Sequence, residues 1–229
     1  MKKKRYHLLL VILFCLIEIP SFGQQSHPPF WNEIQHFRHE DSLQAPPQHA
    51  ILFVGSSSFR KWTDVQDYFP GYKIINRGFG GSTLPDVIRY ADYIIFPYHP
   101  KEIVIYCGDN DAAASPAITA DSILNRFKTL YYLIRKHLPK TEIAYVSIKP
   151  SPSREQFFPV MQLANWEIQQ FLKKEPRTSF VDVWHLMLDD HGQPVESLFG
   201  SDMLHMNKTG YEIWAKAIKP DLLKNKREK

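Results

Sequence analysis

Ile51-Leu-Phe-Val-Gly-Ser-Ser-Ser-Phe-Arg-Lys-Trp62 is an apolar run that meets a glycine and then three consecutive serines. A short run of this kind bounded by Gly reads as a strand covered on both faces, and the pattern after Ser58 turns helical or irregular. In an open parallel sheet the ends of such strands form the edge where ligands bind. The stretch therefore delivers hydroxyl groups to a candidate site. Standing alone, its plainer reading is a polar turn with a Ser helix cap.

Downstream, short runs rich in β-branched and aromatic residues recur at 73–76, 102–108, 142–148 and 179–183. Between them, 84–96, 119–138 and 158–174 are long enough for crossover helices. Thr119 and Asp121 mark the start of the second and Pro139 its end. A last helix begins near Asn207, with Tyr211, Trp214 and Ile218 at three- and four-residue spacing. Five strands alternating with helices predict an α/β fold, a parallel sheet with helices on both faces. Its carboxyl edge collects Ser56 to Ser58 and the loops 77–83, 109–114 and 149–154.

Ahead of this pattern, residues 1–23 read as a signal peptide. A basic start from Lys2 to Arg5 precedes an apolar core too short to span a bilayer, and Ser21-Phe-Gly23 is a small-x-small cleavage site. Export is expected, to the periplasm or beyond, with the membrane met only through the leader. Residues 24–49 predict a lead-in helix laid against the domain, with Phe30, Ile34 and Phe37 on one face, Asn32 as its cap and an exit turn at Asp41 and Ser42. No chemistry is expected of it. Residues 50–223 form the main domain and 224–229 a basic tail.

The 229 residues carry a formal charge of +4, yet the leader and the tail each hold a net +3. The remainder is slightly acidic, which argues against a nucleic-acid-binding face. After loss of the leader only Cys107 remains, a small core residue within an apolar run. The sequence leaves the oligomeric state open.

Three further stretches carry candidate chemistry. In Asp202-Met-Leu-His205 a single turn can present a carboxylate to an imidazole, which fixes the tautomer of a base. The glycines of Asn76-Arg-Gly-Phe-Gly-Gly-Ser-Thr83 let backbone N–H groups approach an anionic atom, without the Gly-Lys-Ser/Thr ending of a P-loop. Gly108-Asp-Asn-Asp111 offers a neutral amide donor, or, as a rival reading, two carboxylates for a divalent cation. His36, His39, His185 and His191 have no metal-ligand spacing and read as surface or capping residues. Trp62, Phe79 and Tyr106 read as core, and Asn207 as a helix cap. Arg77 and Arg154, on expected edge loops, are candidates to bind an acidic substrate group.

In order, Gly55-Ser-Ser-Ser58, the glycine loop ending at Gly81, Gly108-Asp-Asn-Asp111 and Asp202-Met-Leu-His205 resemble the four sequence blocks of the SGNH hydrolases, or GDSL-type esterases. The resemblance spans about residues 50–215. It implies a three-layer α/β/α sandwich around a five-stranded parallel sheet, flavodoxin-like. It makes Ser57 the nucleophile, His205 the general base and Asp202 its orienting acid. Gly81 and Asn110 become oxyanion donors beside the Ser57 backbone N–H. No metal or cofactor is implied. Ser56 and Ser58 replace the Asp and Leu of the first block, so a substrate cannot be borrowed from members that keep them. The implied activity is hydrolysis of small-molecule or glycan esters through an acyl-enzyme, with O-acetyl groups on carbohydrate leading. A lysophospholipase or thioesterase is the enzyme alternative, and a non-catalytic glycan-binding surface protein the alternative of another class.

Overall fold

The computed structural model describes residues 27–222; the expected leader and basic tail lie outside the described residues. Among the described residues, five strands form one parallel sheet: β1 (Ile51–Gly55), β2 (Ile74–Gly78), β3 (Glu102–Tyr106), β4 (Glu142–Val146) and β5 (Thr178–Val181). Their order is β2-β1-β3-β4-β5, with Ile51 opposite Ile74 and Glu102, and Gly55 opposite Gly78 and Tyr106. The helices are α1 (Trp31–Leu43), α2 (Ser57–Arg60), α3 (Val65–Tyr68), α4 (Leu84–Arg89), α5 (Ala91–Ile94), α6 (Asp109–Ala113), α7 (Ala120–His137), α8 (Phe158–Leu172) and α9 (Lys208–Ile218).

Strand residues alternate between two cores, because successive side chains of a strand point to opposite faces. Leu52, Val54, Ile103, Ile105 and Ile143 pack with Ile34, Leu84, Phe127, Ile134 and Ile168 from helices on one face. Ile51, Phe53, Val104 and Val146 pack with Phe59, Trp62, Tyr211 and Trp214 on the other. This is the expected three-layer α/β/α arrangement, and it explains why β1, and β3 after Glu102, are apolar along their length, whereas the edge strands β2 and β5 carry polar residues. Trp62, Phe79, Tyr106 and Cys107 are fully buried in it. No described helix is long and apolar enough to cross a membrane.

Local expectations are corrected in two places. The span 84–96 is not one crossover helix. It breaks at Tyr90 into α4 and α5 and then a 3-10 turn, Phe96–Tyr98. Tyr90 is drawn into the core, where its hydroxyl donates to the Pro29 carbonyl at 2.5 Å, and Pro97 disfavours helix at the residue before it. At the chain's start, α1 begins one residue before Asn32 and runs through Asp41 and Ser42 to Leu43. Phe30 precedes it in a left-handed conformation, with its ring edge-on to Phe79 at 5.4 Å. The tertiary contact overrides the local cap, and Asp41, expected in a turn, accepts from the Tyr98 hydroxyl at 2.6 Å.

Candidate active site

The chain runs outward from β1 to β2 on one side and returns to β3 on the other, which makes the carboxyl ends of β1 and β3 the topological switch point, where open α/β sheets bind ligands. At the end of β1, Gly55 has φ 140°, and a Cβ there would lie 1.9 Å from the Tyr106 carbonyl oxygen. Only glycine lets the chain turn that close to β3. The turn is held by the Ser56 N–H donating to that carbonyl at 2.9 Å, and Ser57 then opens α2. Ser56 and Ser58 are fully buried. The Ser57 Oγ lies 2.8 Å from His205 Nε2.

His205 is held by its own loop. Asp202 Oδ1 accepts from the Leu204 and His205 N–H groups at 3.0 and 2.9 Å, and Oδ2 lies 2.7 Å from His205 Nδ1. Met203, between them, takes a left-handed φ of 49° that closes the turn. With the Nδ1 proton directed at the carboxylate, Nε2 is left to accept from Ser57. Burial opposes ionisation of Asp202, but the hydrogen bonds from the His205 ring and the two N–H groups outweigh it and hold the carboxyl well below its usual range. Burial lowers the His205 pKa, and the Lys149 and Lys61 charges lower it further against the raising effect of Asp202. The ring is therefore a neutral base near neutral pH.

The opposite wall comes from the loops after β2 and β3. The Phe79 N–H and the Ser82 hydroxyl both donate to the Gly55 carbonyl, at 3.0 and 3.2 Å, which docks the glycine loop on the end of β1. Asn110 Nδ2 donates to the Ser82 carbonyl at 3.2 Å, leaving its second amide hydrogen for another acceptor. A Cβ on Gly81 would stand 3.8 Å from that Nδ2, so the Gly81 backbone and the Asn110 amide are neighbours. The Ser57 and Gly81 N–H groups are bonded to no described residue. Such a set of neutral donors beside a hydroxyl with its base can stabilise a developing oxyanion.

The two acidic residues flanking Asn110 serve different partners, which displaces the cation reading. Asp109 Oδ1 accepts from the Asn110 N–H at 3.0 Å, and Oδ2 from Lys149 Nζ at 3.1 Å and the Tyr106 hydroxyl at 3.2 Å. Asp111 accepts from Arg126 at 2.7 Å and the Leu84 N–H at 2.9 Å. Arg77 also needs correction. It lies inside β2, and its guanidinium is spent on the Asp41 carboxylate, the Tyr98 hydroxyl and the Asn76 carbonyl over the Phe37 ring. It ties β2 to the lead-in helix through Asp41. Arg154 is half-buried in the 3-10 turn Pro152–Phe157; the preceding Ser153 N–H donates to the Met203 carbonyl at 3.0 Å, so this turn abuts the His205 loop.

Two contributors escaped the sequence reading. Lys149, beside Pro150 in an apparent edge loop, is fully buried beneath the site. Glu33, in a helix with no expected chemistry, accepts from the Gly80 N–H at 3.0 Å. No local pattern marks either, because both act through residues distant in the chain.

The GDSL-like lipase/acylhydrolase family profile matches residues 41–213. No curated protein matches the chain significantly. Among solved structures, a candidate platelet activating factor of Streptococcus pneumoniae is 25% identical, with a TM-score of 0.71 over 84% of this chain and 92% of that one. A GDSL-like lipase of Bacteroides thetaiotaomicron is 21% identical, with a TM-score of 0.70 over 82% and 96%. An acetyl xylan esterase is 15% identical, with a TM-score of 0.63 over 76% and 100%. The family profile spans most of the chain, and the parallel five-stranded architecture agrees with it: the chain belongs to the GDSL-like lipase/acylhydrolase family, the SGNH hydrolases.

Proposed function

We propose that the protein is an exported serine esterase that removes short acyl groups, O-acetyl above all, from carbohydrate. The observation that carries the catalytic reading is the continuous chain Ser57 Oγ, His205 Nε2, His205 Nδ1, Asp202 Oδ2, with contacts of 2.8 and 2.7 Å. Ser57 Oγ bonds to the ester carbonyl carbon while His205 Nε2 takes the hydroxyl proton. The carbonyl oxygen becomes an oxyanion that accepts from the Ser57 and Gly81 N–H groups and the Asn110 amide. As the intermediate collapses, the carbon–alkoxy bond breaks and His205 returns the proton to the departing alcohol. Water then attacks the acyl-enzyme with the same base, releasing the acid and restoring Ser57.

The carbohydrate reading draws on the name of the acetyl xylan esterase of the same fold and on a cavity of about 270 Å³ at the carboxyl ends of β4 and β5. Trp166, 58% exposed, Asp182, Gln162 and Gln169 line it together with Phe180 and Trp184. An exposed indole face suits the C–H face of a pyranose, and the carboxylate and amides suit its hydroxyls. Two to three strand spacings, about 10–14 Å, separate this end of the sheet from the end of β1, a span that an oligosaccharide bridges. The export reading draws on the leader-like start of the sequence. Arg154, beside the His205 loop, is the side chain proposed to meet an acidic substituent.

The test is hydrolysis by the mature chain of p-nitrophenyl acetate, acetylated xylo-oligosaccharides, p-nitrophenyl palmitate and lysophosphatidylcholine. Acetyl esters are turned over and long-chain ones hardly at all, and Ser57→Ala lowers the rate by about 10³-fold or more while the protein stays folded. Undiminished activity of Ser57→Ala overturns the catalytic reading. Preference for the long-chain esters overturns the substrate reading.

A further inference from the structure

The Gly81 N–H belongs to the peptide plane between Gly80 and Gly81, whose orientation is set by ψ of Gly80 and φ of Gly81 and so follows how Gly80 is held. Gly80 has φ 32° and no Cβ, so its own sterics restrict that orientation little. Its neighbours are tied to the sheet through Phe79 and Ser82, as described above. Between those two anchors, among the described residues, the Gly80 N–H donates to Glu33 Oε2 at 3.0 Å, from α1. The same carboxylate oxygen pairs with Arg60 Nε at 2.9 Å, and Arg60 ends the short helix that Ser57 begins. One side chain thus ties the glycine loop to the helix of the serine. Phe30, just before α1, closes the other side: a Cβ on Gly80 would come 2.3 Å from its ring.

We propose that Glu33, backed by Phe30, is a positioning residue that holds Gly80 so that the Gly81 N–H points at the developing oxyanion. The proposal rests on the reading above, in which Ser57 attacks and Gly81 donates. It gives the lead-in helix a part in the reaction although both residues lie ahead of residue 41, where the family match starts. Charge-assisted bonds are stronger than neutral ones, and preorganised donors stabilise a transition state only if they are already aimed. A misaimed Gly81 N–H therefore costs turnover more than substrate binding.

The experiment compares Glu33→Ala and Glu33→Gln with the full mature enzyme on p-nitrophenyl acetate, at a temperature where circular dichroism shows each variant folded. Glu33→Ala is expected to lower kcat by about 10- to 100-fold with KM within about twofold, the split expected when an interaction made only in the transition state is lost. It should weaken a boronic acid that forms a tetrahedral adduct on Ser57 by a similar factor. Glu33→Gln keeps an oxygen acceptor for Gly80 and is expected to restore most of the lost kcat. Wild-type kcat in Glu33→Ala overturns the proposal, as does equal loss in the two variants that follows their melting temperatures. Loss of activity in Ser57→Ala alongside an unaffected Glu33→Ala leaves the esterase reading standing and removes only this inference.

Discussion

Lys149 Nζ lies 3.1 Å from Asp109 Oδ2 in the interior beneath the Ser57 site, with almost no solvent on either side chain. Burial alone pulls the Lys149 pKa down and pushes the Asp109 pKa up, yet the lysine's charge and hydrogen bond hold Asp109 below its ordinary value. The pair stays ionised, and Asp109 can then accept from the Asn110 N–H with its other oxygen. Removing one partner leaves a buried uncompensated charge. Lys149→Met should therefore cost about 3–5 kcal/mol of stability, read by urea unfolding, and adding Asp109→Asn should recover most of it. A single variant as stable as wild type would refute this role for the pair.

The pH profile carries a second prediction. His205 must be neutral to take the Ser57 proton, and its folded pKa lies below the ordinary 6.5. The acid limb of kcat/KM should accordingly fall below pH 6.5. The same shift gives a stability term: between the folded pKa and about 6.5 the unfolded chain binds the proton more readily. Stability is thus lost as pH drops through that window and levels off beneath the folded value. Measuring kcat/KM and unfolding midpoints from pH 4 to 8 checks both signs.

Asn110 is expected to act on turnover. Its amide is held by the Ser82 carbonyl and stands beside the Gly81 backbone. Asn110→Ala should lower kcat by about 10²–10³-fold, equivalent to about 2.7–4 kcal/mol, with little change in KM. Steady-state kinetics on a soluble acetyl ester decide it, and a loss confined to KM would point to substrate binding instead.

Arg77 gives the contrasting expectation. Its guanidinium pairs with Asp41 and stacks against Phe37 and Tyr98 in a largely buried setting. Arg77→Met should lower stability by about 2 kcal/mol, less than a fully buried pair because both partners keep some solvent. KM values for acidic and neutral esters should move together. A rise in KM restricted to acidic esters would instead assign Arg77 to substrate binding.

The strands were legible because a doubly covered parallel strand must be apolar along its whole length, as Ile51 to Val54 and Ile103 to Tyr106 are. The Asp202 and His205 pair was legible because three residues of separation let one turn join them. The break at Tyr90 was not, since it depends on a hydroxyl reaching Pro29, 61 residues away. The engagement of Arg77 was hidden for the same reason: its partner Asp41 lies 36 residues earlier in the chain.

By itself the sequence determined the alternating α/β order, the glycine that ends β1, and the succession of hydroxyl, glycine loop, amide and Asp–His turn. Only the tertiary structure decided that Ser57, and neither Ser56 nor Ser58, meets His205 across 148 residues. It also decided that Lys149 is buried and that Glu33 reaches the glycine loop. Backbone preferences and apolar periodicity act over a few residues, whereas these contacts depend on how the strand ends and helices pack together in space.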